Sequence, residues 1–285
     1  MAAPSRQLSI LLISNWRRPA GVPFPAQRSL NGMNILDPTI DRQLVRALET
    51  HSARAWPAPE IVQVNGWEVR FTPGSRSRRV NCVTPMAPVA GRLEDTLKLA
   101  KKLCDERNLP CTLRVTPLGG RELADWLQAH GKGMTGDATA VQVAPLGGLA
   151  AADNHALLDN HLTDEWLAGL EASGADAAER ALIARLLADV MTPQGFARVM
   201  QDGEPVAVGR AVVDHGLAGI FHIATAKQAR RQGHGRAIVN ALMHWAREQG
   251  AMRAYLQVVA ANEPAIALYR GFGFREAYRY DYLTL

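Results

Sequence analysis

The sequence predicts a mixed α/β fold on a mixed, mostly antiparallel central sheet, arranged as two tandem units, and three features carry that prediction. In the second half the periodicities run β-β-β-α-β-α-β from Gly195 to Leu285, which suits a sheet with a crossover helix rather than a fully parallel, doubly wound one. Asn65-Gly66 and Asp202-Gly203 each separate two short apolar runs, the strongest local signal for a two-residue hairpin. A Pro-Leu-Gly-Gly-Leu-Ala break near Pro145 to Ala152 divides the 285 residues into two stretches, each long enough to bury a core. The expected organisation is a leader at 1–37, a first domain at 38–145 and a second at 146–285.

Residues 1–37 carry four arginines, several prolines and no acid before Asp37. Their apolar run, Leu8 to Ile13, is short for a secretory signal. They read as a disordered leader, or as the product of a start set too early, with Met33 as the true start. A helix is expected from Ile40 to about Arg54, with Leu44, Val45 and Leu48 on one side, ended by Ala55-Trp56-Pro57. Strands Glu60 to Val64 and Trp67 to Thr72 follow, then a basic turn, Pro73 to Arg79, and a strand Val80 to Thr84. Arg76, Arg78 and Arg79 are read as a solvated hairpin end, because no helix N-terminus and no glycine pair follow them. A helix Asp95 to Arg107, a strand Cys111 to Val115, a short helix Arg121 to Ala129 and a strand Ala138 to Val143 complete the first unit.

The second unit opens on two helices, about Leu162 to Glu171 and Asp176 to Asp189, in an acidic stretch that includes Asp159, Asp164, Glu165 and Glu171. Strands Gly195 to Gln201 and Pro205 to Asp214 form the second hairpin, and Gly219 to Thr225 pairs on through a turn at Gly216. A helix Arg236 to Gln249, a strand Met252 to Val259, a short helix Pro264 to Arg270 and a terminal strand Arg275 to Leu285 follow.

Between the strand ending at Thr225 and the helix starting at Arg236 lies Arg230-Arg231-Gln232-Gly233-His234-Gly235. Its glycines let backbone amides approach a ligand without a Cβ in the way. The helix adds unpaired N–H groups and the positive end of its dipole at the same point, so an anion belongs there, most often a phosphate. The loop has neither the Gly-Lys-Ser/Thr ending nor the third glycine of the two common phosphate loops.

This turn resembles the pyrophosphate loop of the GNAT superfamily of acyl-CoA-dependent N-acyltransferases, whose pattern, Gln/Arg-x-x-Gly-x-Gly/Ala, is matched by Arg230-x-x-Gly233-x-Gly235. Asn262-Glu263-Pro264-Ala265-Ile266-Ala267-Leu268-Tyr269 and Gly271-Phe272-Gly273-Phe274 match a second motif of that family at the expected separation. The first unit is similar, more loosely, to the N-terminal half of a subset of two-part GNAT proteins, through Trp56-Pro57-Ala58, Gly66-Trp67-x-x-Arg70-Phe71 and Arg78-Arg79-Val80-Asn81. That similarity implies a degenerate acyltransferase-like fold more than an activity.

The resemblance implies transfer of an acetyl group from acetyl-CoA, used as a co-substrate, to a primary amine, without a metal. It places the pyrophosphate on the segment Arg230, Arg231, Gln232, Gly233, His234, Gly235 and Arg236, and pantetheine beside Ile223 and Thr225. Lys227 stands where the family often has proline. Tyr269 would be the general acid, its phenol protonated at neutral pH and able to donate to the leaving thiolate. Asn262 caps the short helix, bonds the pantetheine amide, or does both. For the base, His222 titrates in the right range, and period-two alternation puts it on one strand face with Ile220 and Ala224. A water chain ending at Asp164, Glu165 or His222 is the alternative, since Gly219 stands where some members carry a glutamate. The side chain of His234 is expected at the surface.

The formal charge of +5, from 32 basic and 27 acidic residues, is too small and too dispersed to indicate nucleic acid, and no aromatic platform is interleaved with the arginines. Cys82, Cys104 and Cys111 lack metal-ligand spacing and read as reduced thiols of a cytoplasmic protein. No stretch has the apolar length of a membrane helix. A small-molecule amine is the expected acceptor, with a protein or peptide as the other option and a monomer or homodimer as the assembly. The acidic opening helices would favour a cationic amine by focusing. A catalytically silent acyl-CoA sensor is the competing function.

Overall fold

The structure is a computed structural model that describes residues 35–130, 138–152 and 155–285; the expected leader lies outside them except for its last three residues. In chain order the elements are α1 (Arg42–Ala55), β1 (Glu60–Val64), β2 (Trp67–Phe71), β3 (Cys82–Pro85), α2 (Leu93–Asp105), β4 (Thr112–Val115), α3 (Gly120–His130) and β5 (Thr139–Pro145). They continue as β6 (Leu157–Asp159), α4 (Asp164–Ala172), α5 (Ala177–Ala188), β7 (Gln194–Gln201), β8 (Glu204–Asp214), β9 (Leu217–Thr225), α6 (His234–Glu248), β10 (Arg253–Val259), α7 (Glu263–Arg270) and β11 (Arg275–Thr284).

Local chemistry sets the boundaries. Asp41 caps α1 by accepting from the amides of Gln43 and Leu44 at 2.9 and 3.1 Å. Asn65 and Gly66 both take positive φ, 49° and 85°, as do Asp202 and Gly203 at 52° and 81°, the geometry that continues strand twist through a two-residue turn. His215 and Gly216 repeat it between β8 and β9. Among the described strands, β6, of three residues, has no counterpart among the sequence expectations.

Among the described residues the strands form one sheet in the order β1-β2-β3-β4-β11-β5-β10-β9-β8-β7-β6. It is parallel at β3·β4 and β9·β10 and antiparallel at its other junctions. Each parallel pair flanks a crossover helix, α2 or α6, so the two halves repeat one plan. The sheet is shared across the boundary expected at 145/146. β5 pairs with β10 from Thr139↔Val259 to Pro145↔Arg253, and β11 pairs with both β5 and β4. Each half therefore takes a strand from the other. Alternation within a strand identifies its faces and not its neighbours, which is why the exchange is invisible in the sequence.

Helix α6 lays Ile238, Leu242, Met243 and Ala246 on Ala207, Ala211, Ile220 and Leu256, and α2 and α3 cover Trp67, Val69, Val83 and Leu113 in the first half. A third cluster crosses between halves: Val45 and Leu48 of α1 pack on Val141, Val212, Phe221, Tyr255 and Tyr280. Within it lies a buried ion pair. Arg114 of β4 donates to Glu49 of α1 at 3.0 and 2.8 Å and to the Tyr282 hydroxyl at 3.2 Å, and Tyr278 donates to the same carboxylate.

Candidate active site

Strand β9 pairs with β10 only from Leu217↔Arg253 to Ile220↔Leu256, although both strands continue past that point. Beyond it, β9 keeps β8 on one side and β10 keeps β5 on the other, so the two C-terminal ends separate and leave facing backbone edges. Buried or half-buried edges of this kind require hydrogen-bond partners. The splay starts at a β-bulge: the β8·β9 register shifts between Val208↔Ala224 and Arg210↔Phe221, and His222 takes φ 55°.

The bulge overturns the expected alternation. Ile220 and Ile223 face α6, whereas Phe221 faces α1 and His222 and Ala224 face Trp56 and Trp166. The extra residue turns His222 to the side its neighbour Phe221 already occupies. The His222 ring lies 4.5 Å from that of Trp56 and 5.5 Å from that of Trp166, and neither ring nitrogen has a hydrogen-bond partner among the described residues. Burial, helped by Arg210 and Arg79, holds its pKa well below the usual histidine value. It is neutral at physiological pH and a poor proton acceptor.

His51, whose Nδ1 lies 2.9 Å from the Tyr255 hydroxyl, is likewise pushed down by burial, to about 4. The unfolded chain therefore takes up a proton first as pH falls. The stability from neutral His51 is complete above pH ~6.5 and is lost progressively down to about 4. We expect roughly 3 kcal/mol less unfolding free energy across that window. His51→Phe should flatten the loss in urea titrations at stepped pH.

The loop after β9 has the expected shape. Arg231 and Gly233 both take positive φ, 63° and 87°, and Gly233 is the N-cap of α6 with no side-chain cap. The amides of Arg236 and Ala237 turn back to the Gly233 carbonyl at 2.9 and 3.1 Å. Those of Arg231, Gln232, Gly233, His234 and Gly235 donate to no acceptor among the described residues. The first turn of α6 contains no acid, whereas the equivalent crossover helix α2 begins with Glu94 and Asp95. An anion is favoured at the first and repelled at the second.

One expectation for the loop is corrected. The His234 side chain is buried, stacked 5.7 Å from His155 with the rings 4° from parallel, because the left-handed Gly233 turns it under the helix start. Burial lowers its pKa, and His155 adds to the effect.

The second motif packs beside the first. A Cβ on Gly235 would sit 3.6 Å from Leu268 of α7, and the Arg236 guanidinium lies 5.0 Å from the Phe272 ring centroid. Asn262 is buried and caps α7 by accepting from the Ala265 amide at 3.3 Å. Tyr269 is buried with its ring edge-on to Phe274 at 6.0 Å, and burial raises its phenol above the usual value. Asp164 is exposed and bonded to Arg180 at 3.1 Å, Glu171 pairs with the same arginine, and Asp159 pairs with Arg198, so much of the acidic stretch is already neutralised.

Sequence reading missed Trp56, Arg79 and Arg210. Trp56 looked like a helix terminator, but it packs on His222. The basic turn expected in solvent bends inward: Arg78 lies over the Tyr282 ring at 4.5 Å, and Arg79 over Phe221 at 5.9 Å. Arg210 is fully buried in the middle of β8, between Val206-Ala207-Val208 and Ala211-Val212-Val213, and that charge inside an apolar run was the available signal. Among the described residues no three His, Cys, Asp or Glu side chains gather as for a metal ion, and no helix is long and apolar enough to cross a membrane.

A structure of a GCN5-related N-acetyltransferase from Kribbella flavida superposes with TM-score 0.63 at 16% identity, covering 85% of this chain and 94% of its own. A tandem GNAT protein from the clavulanic acid biosynthesis pathway gives 0.61 at 14% identity, covering 84% and 87%. The fold is thus the mixed, mostly antiparallel GNAT fold in tandem form. Among curated relatives, the uncharacterized N-acetyltransferase YobR of Bacillus subtilis is 34% identical over 84 residues, 29% of this chain and 34% of its own length. The [ribosomal protein bS18]-alanine N-acetyltransferase of Escherichia coli is 39% identical over 71 residues, 25% and 47%. The chain therefore spans less than half the length of either. The family model described as "Probable histone acetyltransferase Rv0428c C-terminal" matches residues 43–283, nearly all of the described structure, and the chain belongs to that family.

Proposed function

We propose that the protein is an acetyl-CoA-dependent N-acetyltransferase acting on a primary amine by direct attack on the thioester. The observation that carries this reading is the run of unpartnered amides from Arg231 to Gly235 at the start of α6, beside the splayed ends of β9 and β10. The amides suit a pyrophosphate. The facing backbone edges at Ile223 and Thr225 and at 257–259 suit the two amides of a pantetheine arm. Asn262, at the far lip of the splay, already caps α7 and can share its side chain with that arm.

Thioester aminolysis needs alignment more than strong acid-base groups. Tyr269, kept protonated by burial, supplies a proton to the departing thiolate. With His222 held neutral at low pKa, the attacking amine loses its proton to solvent rather than to that imidazole. The first half, whose crossover helix opens on two acids, is the degenerate copy.

Release of CoA thiol with a panel of primary amines, alongside calorimetry of acetyl-CoA, tests the assignment. Tight acetyl-CoA binding with no turnover of any amine would make the protein a sensor. Tyr269→Phe is expected to lower kcat about tenfold with acetyl-CoA affinity within twofold. Unchanged kcat at saturating acceptor removes Tyr269 from the mechanism.

A further inference from the structure

The joint between the halves carries more positive charge than it pairs. Arg210 of β8 is fully buried; its Nε donates to Gln194 at 2.9 Å and one terminal nitrogen to the Ala55 carbonyl at 2.9 Å, while the other has no partner. Arg79, on the turn after β2, has a buried terminal nitrogen that is also unpartnered. Their guanidinium carbons lie 6.0 and 5.9 Å from the same Phe221 ring centroid. Trp56 Nε1 and both His222 ring nitrogens, on side chains more than nine-tenths buried, are unpartnered at the same place.

Each carboxylate nearby has an arginine of its own, although Glu68 Oε2 makes no hydrogen bond. Glu49 holds Arg114, and Glu68 lies 3.6 Å from Arg70. These four line a small cavity with Arg79 and Trp56. Neither Arg79 nor Arg210 forms an ion pair with a described carboxylate. A water can satisfy an N–H group, but it does not neutralise two guanidinium charges drawn out of bulk solvent. The strain registers on Arg210, whose pKa burial pulls down to about 9. An anion relieves it.

We propose that Arg79 and Arg210, with the Trp56 indole N–H, bind a carboxylate of the acceptor, so that the substrates are small amines bearing an acid group. The inference rests on the acetyltransferase reading. The site adjoins the bulge at His222 where β9 leaves β10, so a short acceptor anchored by its acid end presents its amine to a thioester held in the splay. One half contributes Arg79 and Trp56, the other Arg210 and His222, and the acceptor site is complete only when both are present. Arg79 comes from an irregular turn rather than a strand, and admitting the acid requires its side chain to move. Bidentate pairing makes arginine, rather than lysine, the fitting residue for this task.

The test uses the full chain and matched pairs of acceptors: L-lysine against cadaverine, β-alanine against ethylamine, and glycine against methylamine. Release of CoA thiol gives kcat and KM, and calorimetry gives the affinity of each acid for the CoA-loaded protein. The acids are expected to exceed their decarboxylated partners at least tenfold in kcat/KM. Arg79→Gln should erase that preference through KM with acetyl-CoA affinity unchanged, and Arg79→Lys should keep part of it. Equal use of the decarboxylated amines, or a preference that survives Arg79→Gln, overturns the carboxylate site and leaves the acetyltransferase reading standing. If no amine is acetylated, the reverse separation applies: acid binding lost in Arg79→Gln upholds the anion site and removes the activity, and no acid binding overturns the site.

Discussion

Gly233→Asp is expected to weaken acetyl-CoA binding on the order of thirtyfold, about 2 kcal/mol. The position has φ 87°, and a Cβ built there meets nothing within 4 Å, so the new side chain projects from the surface of the turn without disturbing the protein. Aspartate is one of the few L residues that tolerates a left-handed backbone, which keeps the folding cost small. Its charge, however, stands among the amides of Arg231 to Gly235. At a few ångströms from a pyrophosphate the repulsion is roughly 4 kcal/mol at a surface-like dielectric, and salt screening leaves about half. Gly233→Asn matches the shape without the charge and should lose only a few-fold. Calorimetry on both variants, with circular dichroism to verify the fold, separates charge from geometry. Undiminished affinity in the aspartate variant would show that the pyrophosphate lies elsewhere.

Glu49→Ala is expected to cost about 3–5 kcal/mol of stability. Glu49 and Arg114 are each 4% exposed, and the carboxylate is the only ionic partner that the guanidinium has among the described residues. Removing it strands a charge in a core that also holds Tyr280, whose ring centroid is 3.4 Å from the Arg114 carbon. Removing both partners, as in Glu49→Leu with Arg114→Met, should restore much of the loss, because the penalty comes from the orphaned charge and not from the absent bond. Urea midpoints of the single and double variants check this. A single variant as stable as the parent would mean that Arg114 reaches solvent.

The backbone geometry of the loop and of the short helix was legible because its parts are local. Two glycines, a basic run and a helix start are consecutive in the chain, and the left-handed backbone at Gly233 follows from its lack of a side chain. The cap at Asn262 is likewise a matter of four consecutive residues. What escaped was produced by distance. The bulge at His222 depends on how β8 meets β9, so alternation grouped the imidazole with Ala224, which it joins, and also with Ile220, which faces the other way. The buried faces of Trp56, Arg79 and Arg210 depend on packing between halves that have no contact along the chain, and a terminator, a turn and a strand charge have bland readings until those halves are brought together. The exchange of β5 and β11 escaped for the same reason.

That exchange sets the order in which the molecule can fold. Arg114 and Tyr282 are joined across 168 positions of sequence, and β11 has no place to lie until both β4 and β5 are formed. Neither half can close its own sheet first and dock afterwards. Such long-range pairing is expected to slow folding, because the loop-closure entropy is spent before the contacts that offset it are made.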